Sequence, residues 1–130
     1  MKFQPDSLPG ANAIARLEAH RIWVHQTPFA GSLIVPWAGE ALAWPVAAVA
    51  EVTADALAPV LALKPELLLI GTGERQAFVA PRELRALIGA RIGVECMTTA
   101  AAARTFNVLA SEGRRVVGAF IVEGSAPGDL

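Results

Sequence analysis

A phosphate-cradling loop is the first chemistry the sequence suggests. The stretch "PELLLIGTGERQAF", residues 65–78, runs an apolar segment into Gly71, Thr72 and Gly73. Glycines at a strand end let backbone amides approach phosphate oxygens closely. The dinucleotide fingerprint, however, needs Gly-x-Gly-x-x-Gly with a helix opening at once. Gln76 stands where the third glycine belongs, and Pro81, which opens the next helix, comes several residues late. The other phosphate loop, Gly-x-x-x-x-Gly-Lys-Ser/Thr, is absent. Two readings stay open. The glycines permit positive φ where a buried strand turns sharply, or they wall a non-standard site at a strand's carboxyl end, where ligands of parallel α/β sheets bind.

A second turn, Cys96-Met97-Thr98-Thr99, leads straight into a helix. Free amides and the dipole at a helix N-terminus suit an anion or a carboxylate. Thr99 reads as the N-cap, its hydroxyl holding the amide of Ala101 or Ala102. Cys96 beside that terminus reads either as an activated thiolate or as a small buried hydrophobe. Along the helix, Ala102, Ala103, Phe106, Leu109 and Ala110 share an arc of about 120° that packs on the sheet. Arg104 and Asn107, three apart, project from the other side as a solvated or recognition face. His20 and His25 are five apart in an expected strand, so they point to opposite faces and cannot share a metal. Ser7, Ser32, Ser111 and Ser125 lack the strand-turn-helix setting of a nucleophile elbow.

The elements that position these residues fall into two rhythms. Residues 1–19 read as a loose arm with room for one short strand. "HRIWVHQ" (20–26) and "SLIVPW" (32–37) are rich in β-branched and aromatic residues, and "TPFAG" between them reads as the turn of an antiparallel hairpin. Leu42 and Trp44 alternate on one face of the segment that follows. From residue 53 onward the order is helix (53–65, capped by Thr53 or Asp55 and limited by Pro59), strand "ELLLIG", helix 81–89, strand 91–96, helix 98–113 and strand 114–122. Strand, helix, strand, helix, strand with short links is a β-α-β-α-β parallel unit with right-handed crossovers. The sequence therefore predicts an α/β fold with a mixed sheet, antiparallel in front and parallel behind. Residues 1–130 form one domain, with 123–130 as a frayed tail.

The formal charge of −1 and the scattered arginines supply no field for nucleic acid or acidic lipid. One cysteine rules out an internal disulfide and points to a reducing compartment. No signal segment and no run near the roughly 18 apolar residues of a membrane span is present, which places the chain in the cytoplasm. Trp23, Trp37 and Trp44 read as packing residues, with a homodimer face as the alternative.

Taken in order, "LIVPW", "PELLLIGTG" and "GVECMTTAAAARTFNVLASEGRRVVGAFIV" resemble a family of small domains of unknown function. That family includes the mitochondrial NADH:ubiquinone oxidoreductase complex assembly factor 3, alongside bacterial and archaeal members of about this length. The resemblance spans residues 30–122 and implies a three-layer α/β fold. It implies a protein partner, with no established activity and no cofactor. The absence of a transit peptide fits a bacterial member. The family pattern falls on Gly71, Thr72, Gly73, Glu95 and Thr99, then on Ala102, Thr105, Phe106, Asn107 and Leu109, and finally on Glu112 and Arg114. Phe at 106 argues against a reaction needing a phenolic hydroxyl there. Joined with Met97, Thr98 and Arg104, the polar members outline one candidate recognition surface. The expectation is a non-catalytic interaction or assembly-factor domain. The alternative is an anionic-ligand binder or weak enzyme using the crevice near Gly71–Gly73 and Thr99.

Overall fold

The computed structural model describes residues 1–3 and 8–123; the expected tail from 124 onward lies outside them. β1 (Ile14–Leu17), β2 (Arg21–Val24) and β3 (Thr27–Ala30) form an antiparallel sheet in that order. "TPFA", expected as a turn, is thus a strand. The turn is the pair His25-Gln26, because Val24 pairs directly with Thr27. Such a two-residue hairpin demands left-handed backbone, and His25 supplies φ 52. His25 therefore lies in a turn and not in a strand. β1 is the short strand for which residues 1–19 left room, and Lys2 bridges to Arg16.

After Gly31 the chain leaves this sheet and begins a second. β4 (Leu33–Val35) and the two-residue β5 (Leu42–Ala43) pair antiparallel. Being so short, β5 does not carry the expected alternation: Leu42 is exposed, whereas Trp44 is buried and donates from Nε1 to the Ala56 carbonyl at 2.9 Å. α1 (Ala58–Leu63) starts later than expected. Pro59 sits in its first turn, where the missing amide costs nothing, rather than interrupting a longer helix. β6 (Leu67–Gly71), α2 (Arg85–Gly89, preceded by a 3-10 turn from Pro81), β7 (Gly93–Met97), α3 (Thr99–Ser111) and β8 (Val116–Phe120) complete the chain. The second sheet has the order β5-β4-β8-β6-β7, with β6 parallel to both β7 and β8 and β4 antiparallel to β8. This is the expected parallel unit with an antiparallel front.

The sheet is apolar on both faces because both are covered. Leu68, Ile70, Val117 and Ala119 point into a core with Trp44, Val60, Leu87 and Ile92. Leu69, Val116 and Phe120 point the other way, against α3 and the small antiparallel sheet, where Ile14, Ile22 and Phe106 are buried. Three layers result. In β8 the Phe120 ring lies over its own strand: a Cβ on Gly118 would stand 2.2 Å from the ring. The same ring meets Phe106 edge-on at 5.9 Å between centroids.

β1 is held on α3 by a polar side chain. Asn107, expected on a solvated face with Arg104, is buried at 7% exposure. Its Oδ1 accepts the Ile14 amide at 2.7 Å and its Nδ2 donates to the Ile14 carbonyl at 2.9 Å. The carboxamide takes the place of a neighbouring strand, since a buried backbone pair must find partners. Asn12 adds a second tie, donating to the carbonyls of Pro36 and Gly39 at 2.9 and 2.8 Å. Asn107→Leu should destabilise the fold by roughly 1–3 kcal/mol, by leaving both Ile14 groups unmet. Urea unfolding followed by circular dichroism measures it, and a change below a few tenths would show that β1 does not need this amide.

Candidate functional site

The loop after β6 is built to touch the start of α3. At Gly71 a Cβ would come within 2.9 Å of Thr99 Cα and 3.0 Å of Thr99 Oγ1, so only glycine lets helix and strand approach this far. Gly73 then turns the chain at φ 97. The Thr99 hydroxyl lies between two segments. It accepts the Gly73 amide at 2.9 Å and donates to the Ile121 carbonyl at 2.7 Å. Backbone bonds reinforce both ties: Thr99 N donates to Gly73 O at 2.9 Å, and Ile121 N donates to Gly71 O at 2.8 Å. Thr72 closes the other side. Its amide donates to Met97 O at 2.8 Å, and its hydroxyl lies 2.7 Å from Arg75 O and 3.1 Å from Met97 O.

Thr98, and not Thr99, caps the helix. Its Oγ1 accepts the Ala101 amide at 3.2 Å and its carbonyl the Ala102 amide at 2.8 Å. Thr99 is turned inward because the bare backbone of Gly71 leaves room for its side chain there. The amides of Thr99, Ala101 and Ala102 are thus engaged within the chain rather than presented to an anion.

A groove of about 730 Å³ opens over this junction. Its floor comprises Thr72–Arg75, Thr98–Ala100 and the exit of β8 at Ile121–Glu123, and its far walls are Leu17–Ala19 and Ala47–Val49. These lie at the carboxyl ends of β6 and β8, where open parallel sheets usually bind ligands. Glu18, Glu74, Arg75, Glu123 and the Met1 ammonium bring charge to the lining.

The twelve residues outlined from sequence do not share one surface. Thr72, Gly73, Thr98 and Thr99 meet at the groove, with Gly71 buried beneath. Glu95 is exposed on β7, the outer strand of its sheet, and Met97 packs inward. Thr105 Oγ1 donates to the Ala101 carbonyl at 2.9 Å and lies 3.6 Å from Met97 Sδ. Arg104 is exposed, with Nη1 3.7 Å from Met1 Sδ. Asn107 is inside the protein. Glu112 and Arg114 lie past the far end of a helix of 13 residues, about 20 Å from its start. There Arg114 Nε bonds Glu66 Oε1 at 3.0 Å, and this bond, aided by the Arg115 amide, holds the exposed Glu66 carboxyl below the usual carboxylate range. Cys96 is half-buried on β7, against the core on the face away from α3, so it acts as packing rather than lining the groove.

Sequence reading missed the groove walls at Leu17–Ala19 and Ala47–Val49, which no motif marks. The exit of β8 carried a general signal, because all strands of a parallel unit end on the same edge of the sheet. Among the described residues no group of three or more His, Cys, Asp or Glu is placed to hold a metal ion. No helix among them is long and apolar enough to cross a membrane.

The family model described as a protein of unknown function (DUF498/DUF598) matches residues 14–121. The chain belongs to this family. A protein from Bordetella parapertussis, solved by crystallography, superposes with a TM-score of 0.82 at 39% identity, covering 88% of this chain and 98% of that one. A Mth938-like domain from Bordetella pertussis, solved by NMR, gives 0.82 at 33% identity, covering 97% and 95%. Among curated proteins, NADH dehydrogenase [ubiquinone] 1 alpha subcomplex assembly factor 3 of Bos taurus is 36% identical over 81 residues. That match takes in 61% of this chain and 44% of the bovine protein, so the chain spans less than half of its relative's length. The expected resemblance to the family that includes this assembly factor is borne out.

Removing the Thr99 hydroxyl while keeping its shape tests the junction. Thr99→Val should cost roughly 1–3 kcal/mol, since the buried Ile121 carbonyl loses its donor. Thr98→Ala, a lost cap, should cost about 1 kcal/mol. Chemical denaturation of the two variants in parallel checks the order; a Thr99→Val loss smaller than that of Thr98→Ala would reverse the assignment of roles.

Proposed function

We propose that this family member is a non-catalytic protein-interaction domain of assembly-factor type, acting in the cytoplasm as a single domain. Its working surface is the groove over the Gly73 and Thr98–Ala100 junction. The observation that carries the reading is how the polar groups of that junction are used. The hydroxyls of Thr72 and Thr99 and the amides of Thr72, Gly73, Thr99, Ala101 and Ala102 are bonded within the same chain, so they shape the groove floor instead of offering a nucleophile, a base or an oxyanion hole. A surface made this way recognises by shape and side-chain contact. The bovine relative's name as an assembly factor supports the same class of role.

A second reading, a small-ligand binder, is favoured by one observation: the groove's size falls among those of ligand pockets. A thermal-shift panel of nucleotides, phosphates and carboxylates separates the two. A ligand at 100 times its Kd adds about 2.7 kcal/mol of stability, and a clear response to one class would favour the second reading.

For the first reading the test is quantitative co-purification from the native organism, followed by mass measurement of the complex. Wild type is compared with Ala48→Trp, which fills the groove at an exposed wall residue. The expected result is a stoichiometric partner retained by wild type and lost from the variant. Identical partners for both, or no stoichiometric partner for either, would overturn it.

A further inference from the structure

Of the outer strands of the two sheets, β1, β3 and β5 are each blunted. β5 has two residues. β1 is covered by the start of the chain: Lys2 bridges to Arg16, Phe3 N donates to Ala15 O and Leu17 N to Met1 O. β3 carries Pro28, which has no amide to give. β7 is different. It is five residues long and ends the larger sheet. An open edge of that length is a template for a further strand.

Backbone parity fixes which groups of β7 are open. Gly93 N donates to Glu66 O and Met97 O accepts from Thr72 N, so Gly93, Glu95 and Met97 face β6. Ile92, Val94 and Cys96 therefore turn their backbone outward. Two outward groups are already engaged: Ile92 N donates to Leu87 O at 3.0 Å, and Cys96 O lies 3.4 Å from Gln76 Nε2. The Ile92 carbonyl, both Val94 groups and the Cys96 amide have no partner among the described residues.

These four groups match a second copy of themselves. In an antiparallel pair centred on Val94, the two Val94 residues exchange both their bonds. Each Cys96 amide then meets the Ile92 carbonyl of the other copy. All the open groups are used, and nothing is asked of the two already engaged. Centring the pair on Glu95 instead would send each Val94 amide to the engaged Cys96 carbonyl. It would also set two Glu95 carboxylates directly opposite, which like charges disfavour.

Side chains favour the same register. With Val94 at the centre, Glu95 stands opposite Gly93, which leaves it room, and diagonal to Arg91. Long side chains reach across such a diagonal, and all three positions are exposed. Two-fold symmetry makes the Glu95–Arg91 contact twice. The ends of the edge match as well. Phe78, at 78% exposure, follows two residues after Gln76, which touches the Cys96 end. Ile88, 58% exposed, adjoins Leu87 at the Ile92 end. Antiparallel pairing sets one copy's Cys96 end against the other's Ile92 end, so it carries Phe78 toward Ile88 on both sides. This double match of charge and apolar ends selects a second copy over an unrelated strand.

We propose that the chain forms a two-fold dimer through β7, joining its larger sheet to that of the other copy. The paired residues lie outside the groove lining, and the dimer does not depend on the interaction-domain reading.

Sedimentation velocity of the full chain over a concentration series is the test. A species of twice the chain mass should form as concentration rises, and hydrogen exchange at the Val94 amide should slow with it. Glu95→Arg sets arginine against Arg91 and should weaken the dimer about tenfold. Adding Arg91→Glu reverses the pair and should restore association. Both positions are exposed, so circular dichroism should show the wild-type fold in each variant. A single species of one chain mass up to about 1 mM would overturn the proposal. So would a dimer that Glu95→Arg leaves intact, a double variant no tighter than Glu95→Arg alone, or a dimer whose Val94 amide exchanges as fast as the monomer's.

Discussion

One hydroxyl sets the geometry of this domain's carboxyl edge. Thr99 Oγ1 accepts from Gly73 and donates to Ile121, so the exits of β6 and β8 and the start of α3 meet at one atom. The contact works only because Gly71 has no side chain: its backbone lies against Thr99 at a distance no Cβ would tolerate. Loop, helix and strand are therefore placed together. A change in any one of them moves the floor of the groove above.

The same device recurs across the fold. The buried polar side chains among the described residues are Asn12, Ser32, Thr72, Thr99 and Asn107, and each one bonds backbone of a distant segment. Ser32 Oγ accepts the Val122 amide at 2.9 Å, tying β4's entry to β8's exit. Buried backbone must be satisfied, and where the chain leaves a regular ladder these side chains supply the partner. Their cost is fixed side chains rather than extra chain length. Their product is a set of loops held rigidly enough to carry a shaped surface.

The parallel unit could be read from sequence because its signals are local. Apolar runs bounded by glycine and proline mark β6, β7 and β8, and Pro81 and Gly89 frame the α2 region. The front half was harder. "TPFAG" has turn composition, yet it forms β3, because register and the inward-facing Ile22 and Val24 outweigh the propensities of Thr27 and Pro28. Asn107 misled for a related reason. Helical spacing showed its side of α3, but not that β1 would fold over that side. The glycine loop is a strand-end turn, as both readings of it required, and its two glycines have different duties. Gly73 supplies positive φ, whereas Gly71 supplies space, a need that depends on Thr99 and is invisible without the third dimension. The groove walls at 17–19 and 47–49 come from stretches with no motif at all.

If the Gly-Thr-Gly loop is a fastening between strand and helix rather than a mobile ligand loop, it must be closed in the free protein. Hydrogen exchange of the unliganded chain measures this amide by amide. The Gly73 and Ile121 amides should be protected to an extent approaching the central residues of β6 and β8, and far above the exposed loop residue Glu74. Exchange of Gly73 at the rate of Glu74, with protection appearing only on addition of a ligand, would contradict the account.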